Sequence, residues 1–127
     1  TTRAAGAQAL RAPGLAAVVQ AGLRDGDAEV RRAALEVLPG LPLPAADKVR
    51  QLSEVLGSGT TEDRQSALAV LGRMKSPAAA QVVLSQLDRI ESGGVPPEIQ
   101  LDVVDAAQAS GSPALLAPLE AYPRARN

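Results

Sequence analysis

Apolar residues fall along this chain at helical, not strand, intervals. In the segment 28–38, Val30, Ala33, Ala34, Val37 and Leu38 hold the i, i+3, i+4, i+7, i+8 positions of one helix face. Leu15, Val18, Val19 and Leu23 hold a similar stripe upstream. No alternation of apolar and polar residues runs long enough to suggest a half-buried strand. Gly and Pro punctuate the helical segments at Pro13-Gly14, Asp25-Gly26, Pro39-Gly40, Gly57-Ser58-Gly59, Gly93-Gly94 and Gly111. Between these breaks the pattern predicts helices over 14–24, 28–38, 45–56, 61–73, 77–91 and 97–109. It also predicts a partial helix over Thr2–Ala12 and a last one over Pro113–Ala121. Helices of this length are marginal in isolation, since about 12–15 residues are needed even for good helix formers. Their stripes must therefore be buried against one another.

The segments repeat. Asp27 to Leu38 reads D-A-E-V-R-R-A-A-L-E-V-L, and Thr60 to Leu71 reads T-T-E-D-R-Q-S-A-L-A-V-L. Glu29/Glu62, Arg31/Arg64, Ala34/Ala67, Leu35/Leu68, Val37/Val70 and Leu38/Leu71 are identical pairs. Pro96 to Ala107 reads P-P-E-I-Q-L-D-V-V-D-A-A and brings Glu98 into the same register. A second set interleaves with the first: Ser76-Pro77-Ala78-Ala79 recurs as Ser112-Pro113-Ala114-Leu115. Ser followed by Pro is a helix-start signature, because the hydroxyl caps free N–H groups and Pro lacks the N–H that would go unpaired. Two interleaved sets with a period in the thirties imply helical-hairpin repeats. The expected fold is all-α, an α-α superhelix of about three full hairpins with a half repeat at each end. Residues 1–127 then form one domain, expected to be a piece of a larger protein whose neighbours cover its end stripes.

Composition sharpens this. Apolar residues make up 46% of the 127, yet Tyr122 is the one aromatic and Met74 the one methionine. The core must be Ala, Leu and Val, side chains small enough to let helices approach closely. Net charge is −1 and the pI about 5.4. A nucleic-acid partner would demand a basic face and stacking aromatics, so it is not expected. No apolar run nears the roughly 18 residues of a membrane span. Cysteine and histidine are both absent, which removes thiol catalysis, disulfides, zinc fingers and the Ser-His-Asp triad.

The string L-R-D-G-D-A-E-V-R-R-A-A-L-E-V-L, residues 23–38, resembles a HEAT repeat, with Val30, Arg31, Ala34 and Leu38 at its pattern positions. In the second repeat Asp63 replaces the Val, and in the third Gln100 replaces the Arg. From Gly59 to Tyr122 the chain is similar to planctomycete-type bacterial multidomain proteins of the membrane-bound dehydrogenase or haem-binding kind. In those, a β-propeller precedes HEAT repeats and a c-type haem domain follows. The resemblance implies an extracytoplasmic setting and a redox parent. No C-x-x-C-H stands in this segment, so no cofactor is expected here.

Candidate residues follow. Arg31 and Arg64, early in equivalent helices, are expected to form a structural ladder that bonds turn carboxylates or carbonyls near Asp25 and Asp27. Glu29, Glu62 and Glu98 fall in first helical turns, where a carboxylate suits the helix dipole. Asp102 and Asp105 read as a solvated face, since a calcium loop needs acids at alternate positions around a Gly. Gly93-Gly94 lacks the spacing of a phosphate loop, and Tyr122 reads as a cap on the last hairpin. No catalytic or metal site is expected. The expected function is a scaffold that joins or orients domains of a redox protein. The alternative is a free-standing protein-binding solenoid using an inner face from which Arg32, Glu36, Gln65, Arg73, Asp105 and Gln108 project. A HEAT-like lyase acting on bilin pigments is a third reading, but it wants nucleophiles, acids and aromatics converging on a groove.

Overall fold

The computed structural model describes residues 13–120. Helix, 3₁₀ turns included, covers 81% of them, with seven α-helices and no strand among the described residues. The helices are α1 (Pro13–Leu23), α2 (Ala28–Val37), α3 (Ala45–Ser58), α4 (Thr61–Arg73), α5 (Pro77–Glu91), α6 (Pro97–Ser110) and a short α7 over 116–120. Single 3₁₀ turns, Leu38–Gly40 and Pro113–Leu115, follow α2 and lead into α7. The Gly and Pro punctuation thus places α1 to α6 to within two residues, whereas the helix expected from Pro113 opens with a 3₁₀ turn and becomes α-helical only at 116. The segment Thr2–Ala12 and Tyr122 lie outside the described residues.

Local chemistry explains the boundaries. Asp27 caps α2, its carboxylate accepting from the Glu29 N–H. Thr60 and Asp63 form a reciprocal capping box on α4, which pairs two donors that would otherwise be orphaned. Ser76 caps α5 as expected, accepting from the Ala79 N–H, whereas Ser112 makes no side-chain cap. Its helix begins with the 3₁₀ turn, so the repeated Ser-Pro string does not guarantee a repeated cap. Gly111, at φ 66°, closes α6 in the left-handed region that costs Gly nothing.

In sequence, α1 packs on α2, α3 on α4, α4 on α5 and α5 on α6; across the sequence, α2 packs on α4, α4 on α6, and α3 on α5. The core between them is aliphatic: Leu35, Leu38, Leu52, Leu68, Leu71, Val83, Val103 and Leu115 are fully buried. Packing is closest between α4 and α6. A Cβ added at Gly72 would lie 3.0 Å from both Ala106 Cα and Ala106 O, and 3.3 Å from Ala109 Cβ. Small residues on both sides of this pair permit the approach.

The structure turns α2 relative to the expected stripe. Ala34, Leu35 and Leu38 are buried, but Val30, Ala33 and Val37 are exposed. The buried set reads Arg31, Ala34, Leu35, Leu38, which is again i, i+3, i+4, i+7, with Arg31 as its first member. An arginine stem is apolar along its length, and here the guanidinium at its end is held by α4. In α1 Val19 is buried and Leu23 half-buried as expected, whereas Val18 is 61% exposed.

Candidate functional site

Polar side chains tie α2, α4 and α6 together. Arg31 Nε donates to Asp63 Oδ2 at 2.9 Å, and Arg31 Nη1 donates to the Asp25 carbonyl at 2.8 Å. The two side chains keep only 17% and 10% of their exposure. Asp63 Oδ2 also accepts from the Thr60 N–H at 3.3 Å, so one carboxylate caps α4 and anchors α2. The residue that breaks the repeat pattern at Asp63 is therefore the counterion of the residue that keeps it at Arg31.

Of the two arginines expected to form a ladder, Arg31 reaches the turn carbonyl of Asp25. Arg64 does not, since its Nε is buried without a hydrogen-bond partner. The tie from α4 to α6 falls instead to Gln65. Its Nε2 donates to Asp102 Oδ2 at 3.0 Å and to the Glu98 carbonyl at 3.3 Å. Gln65 is half-buried and occupied within the chain, which removes it from the set expected to project toward a partner. Asp102, likewise, is an acceptor between helices and not merely a solvated acid. Lys75, at φ 55°, sends its Nζ to the carbonyls of Ala109 and Ser110 at the end of α6. Gln100 donates to the Val95 carbonyl at 3.1 Å, a contact within its own helix start.

The other five expected contact residues stand on the same three helices and are exposed. They are Arg32 and Glu36 on α2, Arg73 on α4, and Asp105 and Gln108 on α6. Arg32 Nη2 pairs with Glu29 Oε2 at 2.8 Å, but both ends are well solvated. Such a surface pair contributes roughly 0–1 kcal/mol and leaves the guanidinium available. Glu29, Glu62 and Glu98 occupy first turns as expected. No cluster of three acids close enough to hold a metal ion occurs among the described residues, and no described helix is long and apolar enough to cross a membrane.

One cleft stands out. A space of about 790 Å³ opens between the end of α1, the turn at Arg24–Asp25, α3 and the 57–60 connection, with the Arg31–Asp63 pair on its wall. Leu23, Leu35 and Val55 supply apolar lining. Gln51 also lines it, 6% exposed, and neither Oε1 nor Nε2 has a hydrogen-bond partner. Nothing in the sequence pattern marks Gln51, because its polar position only becomes anomalous once α3 is placed. No known protein family, curated protein or solved structure matches the chain.

Proposed function

We propose that the chain is a HEAT-type helical-hairpin scaffold without a catalytic site, joining or orienting domains of a larger extracytoplasmic redox protein. The observation that carries this reading is the recurrence of one packing relation, α2 on α4 and α4 on α6, with α3 on α5 alongside. Stacked hairpins generate that relation, each burying its stripe on its neighbours. The repeated strings at 27–38 and 60–71 supply the same relation in sequence. The redox parent rests on the resemblance over Gly59 to Tyr122 alone.

A free-standing protein-binding solenoid is the second reading. It is favoured by the exposure of Arg32, Glu36, Arg73, Asp105 and Gln108 on the three helices that pack together. A photo-crosslinking residue placed at Gln108 of the full-length protein separates the two. Cross-links to flanking domains of the same chain are expected from the scaffold reading. Cross-links exclusively to other proteins would favour the second. The coding sequence beyond Asn127 tests the redox parent: a C-x-x-C-H motif is expected, and its absence removes that part of the proposal.

A further inference from the structure

We propose that the outward face of α2, at Val30 and Val37, is the seat of a helix formed by residues 2–12 of this chain. Register identifies the face. Val30, Ala34 and Val37 stand where α4 has Asp63, Ala67 and Val70 and where α6 has Ile99, Val103 and Ala106. In α4 and α6 those positions meet the preceding helix of the stack. Asp63 of α4 holds Arg31 of α2, and Ala106 of α6 lies against Gly72 of α4. Val70 and Ala106 are accordingly 1% and 3% exposed, whereas Val30 is 40% and Val37 48% exposed. Ala34 is covered by α1, since a Cβ added at Gly22 would lie 3.0 Å from Ala34 Cβ. Among the described residues, then, the two valines lack the helix that covers their counterparts.

Chain path, size and charge select the occupant. α2 reaches its place on α4 through one intervening helix, α3, and α4 reaches α6 through α5. Residues 2–12 are separated from α2 by one helix, α1, and stand in the same relation to it. A helix over 2–12 is about 16 Å long and Val30 to Val37 span about 10 Å, at 1.5 Å per residue, so the segment covers both valines. Small residues permit the closest approach, that of α4 and α6. The segment holds one glycine and five alanines, which makes room for Val37 where α6 has the smaller Ala106. It carries Arg3 and Arg11 and no acid, whereas Glu29 and Glu36, each next to one of the valines, are exposed on α2. α4 and α6 run parallel, since Gln65 meets Glu98 and Asp102 near their starts and Gly72 meets Ala106 and Ala109 near their ends. A segment docked in the same sense sets Arg3 by Glu29 and Arg11 by Glu36. The inference rests on the repeated packing relation and not on the redox parent.

The test uses the full 127-residue chain, which has no cysteine. A nitroxide attached at Glu29→Cys should broaden the amide NMR signals of Arg3 and Ala4 strongly and that of Leu10 weakly. Pro13 begins α1 at the far end of the α1–α2 hairpin from Glu29, so a segment that leaves α2 uncovered gives the reverse gradient or none, and either overturns the proposal. Thermal unfolding supplies the second measurement. Ala7→Pro, which breaks the segment's helix, and Val37→Asp, which places a carboxylate under it, should each lower the melting temperature by about 4 °C or more. Together they should lower it by little more than either alone. A neutral Val37→Asp or additive losses would overturn the proposal. So would a melting temperature that rises with protein concentration, which assigns the seat to a second copy. If Val37→Asp does not fold, the nitroxide gradient decides alone, because Glu29 is exposed. None of these outcomes touches the cross-links at Gln108, so the scaffold reading stands or falls separately.

Discussion

Replacing Gly72 by alanine separates a glycine kept for contact from one kept by default. In a helix interior Ala is favoured over Gly by about 1 kcal/mol, and a bystander glycine should give that gain. At Gly72 the new methyl would stand 3.0 Å from Ala106 Cα and O and 3.3 Å from Ala109 Cβ. Two of these are backbone atoms of α6 and cannot rotate aside. Relief requires α6 to withdraw from α4 by a few tenths of an ångström, loosening contacts around the buried Leu71, Val103 and Ala107. Overpacking of this kind costs about 1–3 kcal/mol, so the net effect is a loss of roughly 0–2 kcal/mol, set against an expected gain elsewhere. Gly57, near the end of α3 with nothing within 4 Å of its added Cβ, is the control. Thermal unfolding followed by circular dichroism should show Gly57→Ala level with or above the parent. Gly72→Ala should melt below it by up to about 8 °C, at roughly 4 °C per kcal/mol for a domain of this size. Gly72→Val, which adds two more methyls, should fall further or not fold. If Gly72→Ala melted higher than the parent, α4 and α6 would not approach as described.

Three further substitutions probe other links. Val70→Asp buries a carboxylate at a site 1% exposed and should abolish the cooperative unfolding transition, while Ala69→Asp on the exposed side should retain it. A double-mutant cycle with Arg31→Met and Asp63→Asn, read by urea denaturation, should give a coupling of about 1–3 kcal/mol; additivity would show the pair to be idle. Ser76→Ala should cost about 1 kcal/mol and Ser112→Ala almost nothing, because the first caps a helix and the second does not.

Helix boundaries were legible in the sequence because Gly and Pro act locally, through φ and a missing donor. Thus Pro77, Pro97 and Gly111 mark helix ends whatever surrounds them. Helix rotation was less legible. On α2 the stripe counted from Val30 and the stripe counted from Arg31 share Ala34 and Leu38. Hydropathy prefers the valines, and the structure prefers the arginine because Asp63 of α4 neutralises it. A signal did exist in the Thr60-x-x-Asp63 capping box, which places a carboxylate at the start of α4, one repeat from Val30. The exchange of Arg64 for Gln65 as the tie to α6 left no such trace, since it depends on where Asp102 and the Glu98 carbonyl lie across the helix pair.

Departures from the repeat therefore carry different meanings that only placement separates. Asp63 departs from the valine pattern and is used within the fold: its Oδ2 accepts both from the Thr60 N–H, capping its own helix, and from Arg31 Nε. Gln65, standing in the register of Arg32, is likewise used, as a donor to α6. Gln51 departs from the register of Val82 and is unused, with both polar atoms unpaired. A polar residue that settles its hydrogen bonds within the fold stabilises or orients the helices, and its loss should be read in stability. One that does not settle them lowers stability at no structural gain, and its loss should raise stability. Gln51 is thus the polar departure for which the described helices supply no hydrogen-bond partner.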